Sequence, residues 1–193
     1  QKETILIENW LDNTLKDNSF DIALGDAVLP NVPWEQREKL MSEISRVLKP
    51  EGLFITRAFC VPRKKPFKNV NEIFEHFAEK EPTYKSALEF TLEIQIHFYN
   101  PKDHKGTFLK SKNVLEKVRG EKGFSFKSEN LNKILGMVWD FWCQKFVDKI
   151  YLYAYRDEEE ELYRAFFEII KTYEAKDNPY SKITPMYILK VKK

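Results

Sequence analysis

The stretch Asp17–Arg57, DNSFDIALGDAVLPNVPWEQREKLMSEISRVLKPEGLFITR, constrains the fold more than any other part of the chain. Phe20–Leu24 is a short apolar run ending in Gly25-Asp26, the pattern of a buried parallel strand with functional groups at its carboxyl end. Pro33 and Trp34 open a helix whose apolar positions, Leu40, Ile44, Val47 and Leu48, keep three- and four-residue spacing. Pro50 and Gly52 stop that helix, and Leu53, Phe54 and Ile55 begin the next strand. Strand, loop, amphipathic helix, sharp stop and strand make one repeat of an open α/β sheet.

Two motifs in this stretch carry a family resemblance. Asp17-Asn18-Ser19-Phe20-Asp21 is similar to the "D-x-S-F-D" approach to the fourth strand of class I S-adenosylmethionine-dependent methyltransferases. Arg46 through Gly52 resembles their "R-V-L-K-P-x-G" turn before the fifth strand. The resemblance implies an α/β fold, a partial Rossmann-like methyltransferase sheet holding the third to seventh strands, with a largely helical insertion. The expected domains are a partial core at 1–61, a helical insertion or lid at 62–155, and a final helix and strand hairpin at 156–193.

What the chain lacks bears on the same reading. Its six glycines, at 25, 52, 106, 120, 123 and 136, form no glycine-rich nucleotide loop. Gly120 and Gly123 sit in a charged turn with no preceding strand. In the family, such a loop follows the first strand, and an acidic residue for the ribose follows the second. With Glu3–Trp10 read as the third strand, both elements lie upstream. The chain is therefore expected to be the carboxyl-terminal, acceptor-side portion of a longer polypeptide. On that reading, Phe20–Leu24 without its neighbours presents an open edge that invites self-association.

The resemblance also implies site residues. Asn9 stands where the family commonly places an acidic or amide residue that recognises the adenine amino group, and its side-chain carbonyl can accept that hydrogen bond. Trp10 either stacks on the adenine or wedges into the core, and Asp12 competes with Asn9 for the same contact. Gly25, Asp26, Ala27 and Val28 are the expected wall beside the transferred methyl group, with small Gly25 and Ala27 permitting close backbone approach. Asp26 is the candidate catalytic residue, orienting or deprotonating the acceptor, with a purely structural loop cap as the alternative. Asn9 and Asp26 are expected to terminate neighbouring parallel strands and to converge on one crevice.

Beyond residue 61 the sequence reads as mostly helical. Asn69 with Glu72 forms a capping-box pattern, and Val70, Ile73, Phe74 and Phe77 give that helix an apolar face. A second helix starts at Pro82 and ends before Asn100-Pro101, a third is opened by Ser111, and Ser128 caps a long one whose stripe reaches Trp142. Trp139, Phe141, Trp142, Phe146, Tyr151, Tyr153 and Tyr155 are either core or the lining of an acceptor pocket. Asp157–Arg164 reads as a helix start, Phe166–Tyr173 fits strand or helix, Asn178–Ser181 is a turn, and Met186–Val191 is a last, antiparallel strand.

Composition narrows the function classes. With 193 residues, 42% of them hydrophobic and 32% charged, the chain can bury one good-sized core. Thirty-two Lys and Arg against 30 Asp and Glu leave a net charge of +2, which argues against a nucleic-acid partner. The Arg63, Lys64, Lys65, Lys68 cluster reads as a solvated loop, with a phosphate-backbone contact as the alternative. Cys60 and Cys143 make no disulfide framework, and His76, His97 and His104 have no metal-ligand spacing. His97 remains a candidate acceptor-side base. No apolar run approaches the roughly 18–20 residues that cross a bilayer, and a cytoplasmic location is expected. The resemblance implies a methyltransferase enzyme that uses S-adenosylmethionine and a small-molecule acceptor, this portion alone being inactive. The alternative is a methyltransferase-like binding domain without catalysis.

Overall fold

The computed structural model describes residues 5–176 and 179–192. They fall into two compact units, the described residues up to 61 together with those from 152 on, and residues 62–151. Glu3 and Thr4 of the expected first strand, and Asn178 of the expected turn, lie outside the described residues.

The first unit is built on a four-stranded mixed sheet. Strand β1, Phe20–Asp26, runs parallel to β2, Leu48–Arg57. A parallel pair needs a crossover, and residues 27–47 supply it with a 3-10 turn at Trp34–Gln36 and helix α1, Arg37–Val47. Helix formation thus starts three residues later than Pro33-Trp34 suggests. The stop comes at Leu48, ahead of Pro50 and Gly52. Those two residues lie in an irregular start to β2, where the register jumps from Phe20↔Leu48 to Ile22↔Leu53 and Glu51 takes a φ of 71°.

The second unit begins with α2, Val70–Ala78, and α3, Tyr84–His97. Asn69 caps α2 by accepting from the Glu72 amide, while the Glu72 carboxylate accepts from the Lys68 amide, so the capping pair is present with one partner displaced. Strand β3, Lys105–Thr107, leads into α4, Phe108–Glu116. The cap of α4 is Thr107, whose hydroxyl accepts from the Leu109 amide, and Ser111 is buried inside the helix it was expected to open. Helix α5, Glu129–Met137, is capped by Ser128 as expected and passes into a π-helical turn at Val138–Cys143. Strand β4, Ile150–Leu152, pairs with β3. Ile73, Phe77, Phe90, Ile94, Leu115, Ile134 and Val138 form this unit's core.

The chain then completes the first unit with helix α6, Arg156–Phe166, and strands β5, Phe167–Tyr173, and β6, Met186–Val191. The sheet order is β1-β2-β6-β5, with β6 antiparallel to both neighbours. The ambiguous Phe166–Tyr173 segment is therefore a strand from Phe167 onward, Phe166 ending α6, and the antiparallel closing strand is present. Phe54, Tyr187, Leu189 and Phe167 bury one sheet face against Leu40 and Met41 of α1 and Tyr163 of α6.

Two expectations are corrected. The run Ile5–Ile7 is not a strand: Ile5 is 79% and Ile7 96% exposed, and no partner strand flanks them among the described residues. Asn9 turns the chain here, its side-chain oxygen accepting from the Leu11 amide and its carbonyl from the Asp12 amide. That local hydrogen bonding competes with extension, as Asn characteristically does. Strand β1 has the sequence pattern of a buried strand but is not buried, with Ile22 51% and Leu24 78% exposed, and it ends the sheet as the open edge expected of it without its neighbours.

Candidate functional site

The carboxyl end of β1 is a tightly held turn. Gly25 has no room for a side chain, since a Cβ there would lie 2.4 Å from Val28 Cγ2 and 3.3 Å from the Phe54 ring. Ala27 sits in the left-handed region, φ 48°, where a residue with a Cβ is uncommon. Its amide donates to the Arg57 carbonyl at 3.0 Å, and its carbonyl accepts from Asn31 Nδ2 at 2.9 Å. Asp26 is gripped from the next strand: Arg57 Nε and Nη2 donate to its two carboxylate oxygens at 2.8 and 2.7 Å.

A cavity of about 510 Å³ opens beside this turn on the α1 side of the sheet, within the usual range for small-molecule sites. Asn9 and Trp10 line it from the amino-terminal segment, and Gly25, Asp26 and Val28 from the strand end. Leu40, Ile44 and Phe54 provide an apolar wall. Asn9 and Asp26 thus share one crevice although they do not end neighbouring strands. Ala27 does not line the cavity; its backbone shapes the turn between residues that do.

Sequence reasoning missed four residues here. Glu8 and Glu43 line the cavity. The Thr14 hydroxyl and amide both donate to Glu8, and the hydroxyl bond chiefly holds its carboxyl below the usual value. Glu43 accepts from Asn13 and Arg46. Arg57 and Asn31 hold the turn. For Arg57 no local signal was available, because its place beside Asp26 follows from the register of β2 against β1.

The other candidates lie elsewhere. His104 Nδ1 is 3.1 Å from the Tyr99 hydroxyl, and His97 ends α3, both in the second unit. Trp139, Phe141, Phe146 and Tyr151 pack against that unit's core, to which Trp142 belongs. Tyr153 and Tyr155 fall in the first unit. Lys65 Nζ donates to the His97 carbonyl, so one cation of the basic loop closes a helix end. Cys60 and Cys143 are free thiols and buried. Burial pushes Cys143 up to about 12 and Cys60 well above the usual thiol range, which leaves both unreactive. Among the described residues no cluster of His, Cys, Asp and Glu could hold a metal, and no helix is long and apolar enough to cross a membrane.

The cavity lies at a parallel strand's carboxyl end beside a crossover helix, the place where open α/β sheets bind their ligands. Residues 2–56 match a family model described as a methyltransferase domain. A Haemophilus influenzae protein without an assigned function is 46% identical over 48 residues, 25% of this chain and 19% of that protein. A solved protein from Pyrococcus horikoshii OT3 superposes with a TM-score of 0.50 at 10% identity, covering 97% of this chain and 58% of that one. A Rhodobacter sphaeroides structure described among zinc-dependent alcohol dehydrogenases gives 0.51 at 15% identity, covering 98% and 67%. A Methanosarcina mazei S-adenosylmethionine-dependent methyltransferase gives 0.47 at 19%, covering 96% and 65%. At these identities the Pyrococcus and Rhodobacter likenesses speak for the fold alone. The chain spans 58% of the Pyrococcus protein and the match only 19% of the Haemophilus one.

Proposed function

We propose that this chain is the acceptor-side portion of an S-adenosylmethionine-dependent methyltransferase acting on a small-molecule acceptor in the cytoplasm. The observation that carries this reading is the cavity that gathers Asn9, Trp10, Gly25, Asp26 and Val28 from two separate segments. Its apolar wall and polar rim suit an adenosine body with a charged end. The cofactor supplies a sulfonium methyl group with a good leaving group already attached, so positioning does most of the work.

In this reading each residue has a defined task. Trp10 offers an aromatic face to a purine. The Asn9 oxygen, with one lone pair taken by Leu11, keeps a second for an amino group. Gly25 lets the backbone come close, and Asp26 orients the acceptor or takes its proton. Fit is incomplete within this chain, which holds no glycine-rich cradle. That gap, with the exposed edge of β1, supports a longer polypeptide in which further strands complete the site.

A second reading, a binding domain without catalysis, is favoured by one observation: both oxygens of Asp26 already accept from Arg57. Calorimetric titration of the full polypeptide with S-adenosylhomocysteine separates the two from a protein that does not use the cofactor. Binding with thermal stabilisation is expected, and absence of both removes the enzyme reading. Methyl transfer to a panel of small acceptors then distinguishes enzyme from binding domain.

A further inference from the structure

The Asp26–Arg57 pair is half exposed, and ion pairs of that kind add little to global stability. Yet Arg57 holds the turn twice. Its guanidinium takes both oxygens of Asp26 at 2.8 and 2.7 Å, and its carbonyl takes the Ala27 amide at 3.0 Å. Between those two grips lies the left-handed Ala27, φ 48°. Strained backbone persists only where surrounding contacts over-determine it, and such places cluster at ligand sites. On the cavity side, Gly25 and Val28 leave no slack, since even a Cβ at Gly25 would overlap Val28.

We propose that Arg57 is a positioning residue for the cavity: its bidentate hold on Asp26 fixes the Gly25–Val28 turn in ligand-ready form and, of the two tasks open to Asp26, favours orienting the acceptor over taking its proton. The inference rests on reading the cavity as the cofactor site, and it adds a residue that does not line that cavity. The planar fork of arginine is essential to it, because a lysine supplies charge without two parallel bonds.

The test uses Arg57→Gln and Arg57→Lys in the full polypeptide, with three readouts. Denaturation midpoints should stay near the native value in both. Amide hydrogen exchange at Ala27, followed by NMR without ligand, should quicken about tenfold in Arg57→Gln and less in Arg57→Lys, the loss expected for charged hydrogen bonds. S-adenosylhomocysteine affinity should fall by a similar factor, in the same order. Unchanged exchange at Ala27 overturns the proposal, as does a midpoint that falls in step with affinity, which would make the pair merely structural. If the native protein takes no S-adenosylhomocysteine, the cofactor reading fails by itself, and exchange at Ala27 still decides the role of Arg57.

Discussion

At the scale of single residues, the site depends on atoms that are absent as much as on those present. Gly25→Ala would drive a Cβ into Val28 Cγ2 at 2.4 Å, and valine's branched side chain has few rotamers to escape into. The expected cost is about 1–3 kcal/mol by chemical denaturation, with part recovered in Gly25→Ala, Val28→Ala. Glu159 offers a second residue-scale test. It is fully buried, 3.9 Å from buried Arg37, and accepts from the Tyr163 hydroxyl. Burial pushes its carboxyl from 4.5 up to about 7, against the opposing pull of Arg37. A raised folded-state value means the native state holds the proton more tightly than the unfolded chain. The associated stability is present below about 4.5 and lost as pH rises through about 7. Relative to Glu159→Gln, which stays neutral, the native protein should lose up to about 3 kcal/mol across that window in pH-dependent denaturation. A flat difference would place the carboxyl elsewhere.

At the scale of elements, caps and periodicity proved strong where the signals were local. Thr83 and Ser86 cap α3 reciprocally, the Ser86 amide donating to Thr83 Oγ1 and the Thr83 amide to Ser86 Oγ. Helix α3 is buried along most of its length, so its start fixes the packing of Phe90 and Ile94. Thr83→Ala should cost about 1 kcal/mol, read from the denaturation midpoint, and a change within error would deny the cap its role. The same locality explains what the sequence revealed. The strand–helix–strand order of residues 20–57, the closing strand and the Asn69 and Ser128 caps are written in neighbouring residues. The run Ile5–Ile7 has strand composition, but a strand needs a partner, and partners are not encoded in the run itself. Asn9 supplied the competing turn. For the site, Gly25 and Asp26 were visible from their place at a strand end. Arg57 was not, because its role follows from the register of β1 against β2, a pairing between residues 31 apart.

At the scale of the molecule, the described residues of the first unit pack helices over one face of its sheet. Helices α1 and α6 pack over Phe54, Tyr187 and Leu189. On the other face Ile22, Leu24 and Met186 stand at least 44% exposed, beside half-buried Ile55 and Ile188. Strand β1 also ends the sheet order, so among the described residues no further strand pairs with its outer edge. Burying apolar area yields roughly 25 cal/mol per Å², and an unpaired strand adds hydrogen bonds to whatever covers it. Both drives act on the same stretch of β1, where the side chains of Ile22 and Leu24 stand on the open face. In a chain of net charge +2, long-range repulsion between copies is too weak to oppose them. The 193-residue chain by itself should therefore associate as its concentration rises, read as a growing sedimentation coefficient in analytical ultracentrifugation. Leu24→Lys places a charge on the open edge without touching the packed face, and it should restore the monomer while leaving the denaturation midpoint unchanged. A polypeptide carrying additional amino-terminal strands should be monomeric without that substitution. If the isolated chain sediments as a monomer at every concentration, the exposed face is stable in water, and the case for a covering segment loses its physical basis.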